Sequence, residues 1–212
     1  MTVLTNKGGL ADTNCVVVAD DSTRQAVMFD APDHTTGPLL DEIAQRGWDL
    51  AGLWLTHGHF DHFADHAVVT ARYPAAGVLI HPADAPKVEQ PGPQLRMFRL
   101  PLQIPPLKPS GFLADGQRLS IGGLELVVIH TPGHAPGHVC FHFPGERLLI
   151  GGDLIIGGSI GRTDFPDASW PDMQTSLRRI LTLPDETRLI GGHGPETTLG
   201  EERRNNPFLQ LD

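Results

Sequence analysis

Four metal-capable side chains fall within six positions in the segment His57-Gly58-His59-Phe60-Asp61-His62. His57 and His59 are two apart, so an extended backbone carries both imidazoles on one face. Asp61 and His62 come as the chain turns into a helical pattern, where they can face a second point nearby. That spacing suits two neighbouring metal ions better than one tetrahedral site. Nitrogen and carboxylate ligands without thiolate admit zinc first, with iron or manganese also acceptable.

Three more candidates stand in matching settings. His134 follows the apolar run ELVVIHT and Pro132-Gly133, Asp153 follows LLIGG, and His193 follows RLIGG. Glycine at such a place lets backbone and ion approach closely. One polar residue after a strand is more often a turn or cap; four strand ends that all finish in His or Asp form a pattern. Sites in α/β folds lie beyond the carboxyl ends of strands, so these loops can converge. Of the other histidines, His66 is expected to pack or cap one helical turn after His62. His138 is expected to support the site from behind rather than to ligate. His34, His81, His130 and His142 read as turn, strand or surface residues, and Asp65 as a solvated helix residue.

The elements that must position these groups are short and apolar. Strands are expected at Cys15–Ala19, Ala26–Asp30, Gly52–Thr56, Gly77–His81, Glu125–Thr131, His138–Phe143, Arg147–Gly152 and Arg188–Gly192. Helical spacing begins at Pro38 and stops at Gly47, recurs over Asp61–Arg72, and starts again at Ser169, which with Asp172 makes a capping-box-like entry. Strands occur both in adjacent pairs and alternating with helices, which predicts a layered α/β fold with mixed sheets. Pro91–Gly111 is too proline-rich for regular structure and is expected to form an excursion near the mouth of a site.

Composition narrows the function. A chain of 212 residues suits one domain, here taken as 1–212. Net charge is −9, and no basic stripe is visible, which argues against a nucleic-acid partner. No signal-like or membrane-length apolar segment is seen, and Cys15 and Cys140 sit in apolar runs as reduced core residues. A cytoplasmic location away from membranes is the expectation. Oligomeric state is not legible.

The segment HGHFDH matches the H-x-H-x-D-H signature of the metallo-β-lactamase fold, and His134, Asp153 and His193 fall where that family's later ligands belong. Within it, TPGHAPGH, GRTDFP and GHGPETTLGEERRNNPFL resemble the short glyoxalase II-like, or hydroxyacylglutathione hydrolase-like, branch. The resemblance implies an αββα sandwich, two mixed sheets flanked by helices, with a dinuclear metal site at one edge. His57, His59 and His134 would hold one ion, Asp61, His62 and His193 the other, and Asp153 would bridge them. Two such ions lower the pKa of water and polarise a carbonyl. The implied reaction is thioester hydrolysis, with S-D-lactoylglutathione or a related glutathione conjugate as the small-molecule substrate. Asp61 is the candidate proton acceptor and Arg162 the candidate contact for the anionic thiol, unless Asp164 or Asp167 claims its guanidinium.

The chain departs from full-length glyoxalase II in lacking the C-terminal helical domain that helps hold glutathione, which weakens the inference about the thiol. The lactamases proper carry a different ligand at the position of Asp153 and are exported, which argues against antibiotic hydrolysis. The main rival is a persulfide dioxygenase of the same fold, which would hold one iron with His57, His134 and Asp153. A nuclease of this fold is disfavoured by the acidic balance, and a non-catalytic metal protein by the complete ligand set.

Overall fold

The run Cys15-Val16-Val17-Val18-Ala19 is apolar at every position, a pattern strands show when both faces are covered. A computed structural model shows how; it describes residues 1–210, so the last two residues of the expected 1–212 domain lie outside it. Cys15, Val17 and Ala19 pack toward helices, whereas Val16 and Val18 pack into a core shared with a second sheet.

In chain order the elements are β1 (Thr2–Gly8), β2 (Thr13–Asp20), β3 (Gln25–Phe29), α1 (Thr36–Arg46), β4 (Asp49–Trp54), α2 (His66–Arg72), β5 (Gly77–Ile80), α3 (Ala85–Glu89), α4 (Gly92–Met97) and β6 (Gly111–Phe112). They continue with β7 (Arg118–Ile121), β8 (Leu124–His130), β9 (Val139–Phe143), β10 (Leu148–Gly152), α5 (Trp170–Ile180), β11 (Arg188–Gly191), β12 (Thr197–Thr198) and α6 (Leu199–Asn205). One sheet has the order β1-β2-β3-β4-β5-β6 and the other β12-β11-β10-β9-β8-β7. Both are mixed: β1, β2 and β3 pair antiparallel before β4 joins in parallel, and β10 pairs with β9 antiparallel but with β11 parallel.

Three apolar layers follow. Between the sheets Phe29 meets Trp54, Phe141 and Phe143, with ring centroids 5.7, 4.8 and 6.1 Å apart. Outside the first sheet lie Leu40 and Ile43 of α1 and Val69 of α2; outside the second lie Met173, Leu177 and Ile180 of α5. The architecture is the αββα sandwich, which buries both faces of each sheet.

Strand direction places the site. β8, β9 and β10 alternate and β11 follows β10, so β8, β10 and β11 all finish at one edge. There Val139 N donates to Thr56 O at 2.8 Å, and Asn14 N donates to Gly192 O at 2.7 Å. These bonds join that edge to the end of β4 and the start of β2.

Four local expectations need correction. α1 begins at Thr36 rather than Pro38, because the Asp65 carboxylate accepts from the Thr35 and Thr36 amides at 3.1 and 3.3 Å. Asp65 is therefore engaged with α1 rather than solvated, and Pro38 sits in a first turn where its missing N–H costs little. The helix expected over Asp61–Arg72 is split into one 3-10 turn, Phe60–His62, and α2. The segment between makes turn bonds and pairs with the β3–α1 loop: Ala31 N donates to His62 O at 2.7 Å and Asp65 N to Ala31 O at 2.9 Å. Pro91–Gly111 contains regular structure after all, because Pro93 stands in the first turn of α4, where proline fits. His66 Nε2 pins the rest of that excursion by donating to Pro105 O at 2.9 Å.

Candidate metal centre

The seven candidates converge at this edge. Their donor atoms form three groups, each within 4.8 Å: His57, His59 and His134; Asp61, His62 and His193; and a linking group of His57, His62 and Asp153. His59 Nδ1 lies 3.0 Å from His57 Nε2 and 2.8 Å from His134 Nε2. Asp153 stands between the two outer groups, with one oxygen 3.4 Å from both His134 Nε2 and His193 Nε2 and the other 3.4 Å from His62 Nε2. The last two atoms, His62 Nε2 and Asp153 Oδ1, are buried without a hydrogen-bond partner. Orphaned polar atoms of this kind are costly unless something binds them.

The far side of most rings is already engaged, which leaves the near nitrogen free to ligate. His134 Nδ1 donates to Arg162 O at 2.8 Å and His193 Nδ1 to Ala11 O at 3.0 Å. His62 Nδ1 bonds Asp30 Oδ2 at 2.8 Å, and His57 Nδ1 meets Thr56 Oγ1 at 3.0 Å, which itself donates to Asp30 at 2.8 Å. One buried aspartate thus orients two rings. Close backbone approach is needed too: a Cβ on Gly192 would lie 2.1 Å from Asp153 Oδ1.

Burial, then the neighbouring imidazoles, hold His57 and His59 well below their ordinary values, and burial likewise lowers His134. Neutral imidazole is the ligating form. His62 and His193 behave oppositely. Burial disfavours their charge, yet Asp30, Asp61 and Asp153 raise His62, and Asp153 and Asp61 bring His193 up to about 10. Against its burial, Asp61 is pulled down to about 2 by His62 and His193, and Asp153 is lowered chiefly by His62. This half of the site carries surplus negative charge that calls for cations. The donor set fits two divalent ions.

His138 takes no place among the donors. Its Nε2 accepts the Asp153 amide at 2.9 Å, its Nδ1 meets Thr131 Oγ1 at 2.8 Å, and burial lowers it to about 3. It holds the backbone of Asp153, as expected of a supporting residue. Arg162 borders a cavity of about 260 Å³ over the centre, but its guanidinium is paired with Asp164 at 2.9 and 2.7 Å.

Four positioning residues were not picked out from sequence. Asp30 closes its strand just as the ligand-bearing residues close theirs, and that signal was available. Asp84 accepts from Gly58 N at 2.9 Å and Gly137 N at 3.0 Å, tying the two histidine loops together. Asn14 grips Gly191 O and Gly194 O around His193, and Thr13 donates to Asp61 at 2.9 Å. Nothing local marks these three.

The chain belongs to the metallo-beta-lactamase superfamily, whose profile matches residues 8–193. A Haemophilus influenzae protein described as hydroxyacylglutathione hydrolase GloC is 34% identical over 92% of each chain. Among solved structures, BLEG-1 B3 metallo-beta-lactamase aligns with a TM-score of 0.90 and 32% identity, covering 99% of this chain and 100% of that one. TTHA1623 in a di-iron-bound form aligns with a TM-score of 0.85 and 37% identity, covering 97% and 99%.

Proposed function

We propose that this metal-dependent hydrolase cleaves a thioester, with an acylglutathione such as S-D-lactoylglutathione as its substrate class, releasing a hydroxy acid and the thiol. The observation that carries the reading is the pair of ligand groups linked by Asp153, seven donors from four strand ends aimed at one cleft. His57, His59 and His134 would hold one ion, Asp61, His62 and His193 the second, with Asp153 shared. The 34% identity to a protein described as a hydroxyacylglutathione hydrolase supports the choice of substrate class. A pair of divalent ions, zinc first and iron or manganese next, supplies water activation and carbonyl polarisation when bound.

The chain's own residues do the rest. Phe60, Phe98 and Phe165 wall the cleft and shield the reacting carbonyl from bulk water. Asp61, steadied by Thr13, takes the proton lost by the attacking water. The departing thiolate has a pKa of about 8.5, so it leaves without a dedicated acid. Arg162 at the mouth meets the anionic thiol by exchanging its bond to Asp164.

The test is release of thiol from S-D-lactoylglutathione by metal-loaded protein, with Asp61→Asn alongside. Turnover per bound ion is expected to fall roughly 10²–10⁴-fold in the variant. Full turnover by Asp61→Asn with both ions retained would remove Asp61 from its role, and no thiol release by the wild type would remove the thioester.

A further inference from the structure

A second cavity, of about 490 Å³, opens directly off the metal centre. It shares His59, Phe98 and Phe165 with the cleft over the ligands. Most of its remaining wall is supplied by α3 and α4, and α4 lies in the Pro91–Gly111 segment read from sequence only as a proline-rich excursion. Clefts of roughly 300–1,000 Å³ are large enough to bury a small organic ligand, and a lactoyl group is far smaller than this one.

Most of the polar side chains that reach the cavity are already engaged. Lys87 Nζ is buried without a hydrogen-bond partner but lies 2.7 Å from Asp167 Oδ2 and 3.4 Å from Asp84 Oδ1, so two carboxylates neutralise its charge. The Gln94 amide accepts from Phe60 N at 2.9 Å and donates to Gly58 O and Lys87 O at 3.1 and 3.2 Å. Gln90 stands exposed at the rim. What is left facing the cavity is apolar: Pro86, Pro93, Met97, Phe98 and Phe165. Met97, 51% exposed, extends this apolar wall to the surface.

We infer that this cavity seats the acyl arm of the substrate, and that the arm is an uncharged aliphatic or aryl group larger than lactoyl. The inference rests on the thioester reading above and deepens it. The two arms sort by charge. A glutathione-like thiol carries carboxylates; Lys87 in the cavity is 20% exposed and already held between two carboxylates, whereas Arg162 is 66% exposed and holds only Asp164, which an incoming carboxylate can displace. That arm points instead toward the open mouth beside Arg162, which leaves the apolar cavity for the acyl chain. Gln94 makes the arrangement rigid, because it bolts α4 to the loop between the metal-centre residues His57 and His59.

The test is a series of S-acyl glutathiones, acetyl, butanoyl, hexanoyl and benzoyl, hydrolysed by the metal-loaded protein and by Met97→Glu. Full burial is worth about fourfold per methylene, so kcat/KM is expected to rise about tenfold or more from acetyl to hexanoyl. Met97→Glu, at an exposed position that tolerates charge, is expected to cut the hexanoyl-to-acetyl ratio about tenfold. An active enzyme with a flat or falling series, or a ratio that Met97→Glu leaves intact, overturns the acyl cavity while the thioester reading stands. If no thioester is cleaved, that reading fails. The cavity is then decided by calorimetric binding of S-hexylglutathione against S-methylglutathione: about tenfold tighter binding of the hexyl thioether upholds an apolar-arm site, and equal or absent binding overturns it.

Discussion

At the scale of single residues, the centre depends on groups that never reach the substrate. Asp30 holds His62 directly and His57 through Thr56. Asp30→Asn keeps the shape but removes the charge, and metal affinity is expected to fall about 10–100-fold in chelator competition. Unchanged affinity would show that packing alone orients those rings. The candidate donors were legible because 57–62, His134, Asp153 and His193 each follow a local apolar run, so a short window of sequence contains both the strand and the donor. Asp84, Asn14 and Thr13 were not, since their partners lie 53, 180 and 48 positions away at the farthest. No local pattern distinguishes them from ordinary turn residues.

At the scale of elements, the buried strands were legible from apolar runs, and the C-terminal glycine of α1 and the Ser169 cap of α5 from their types. The start of α1 and the break before α2 were not, because Asp65 and Ala31 redirect both from outside the helices. β1, β6, β7 and β12 escaped notice because they are short or half-exposed edge strands with few apolar residues. Turns join the sheets in the same non-local way. The Asp20 carboxylate accepts from Gly123 N of the β7–β8 turn at 2.7 Å, and from Ser22 and Thr23 of its own turn. The Gly123 amide first, then Ser22, hold Asp20 below the usual carboxylate range. A lowered carboxylate contributes stability that is complete above the ordinary value of about 3.9 and is lost as pH falls below it. The stability difference between the wild type and Asp20→Asn in urea should therefore be constant near neutrality and shrink below about pH 4. A difference that grows on acidification would contradict this.

At the scale of the whole molecule, the sandwich is held by the layer between its sheets, and the site depends on that layer for its shape. Phe29 packs against three rings contributed by β4 and β9. Phe29→Ala is expected to cost about 3–5 kcal/mol of stability in denaturant unfolding; a loss under 1 kcal/mol would mean that the sheets are joined elsewhere. The order of strands could not be read from sequence, because pairing of β4 with β5 or β10 with β11 spans long connections that leave no trace in local periodicity. Periodicity alone gave only the class, mixed sheets in layers; the αββα arrangement came with the family resemblance.

The central claim, two ions held by seven side chains, is tested most directly by elemental analysis of the purified protein and of His193→Ala. About two divalent ions per chain in the wild type and about one in the variant is the predicted result. A single iron per chain, retained in full by His193→Ala, would contradict it and point instead to a mononuclear centre on His57, His134 and Asp153.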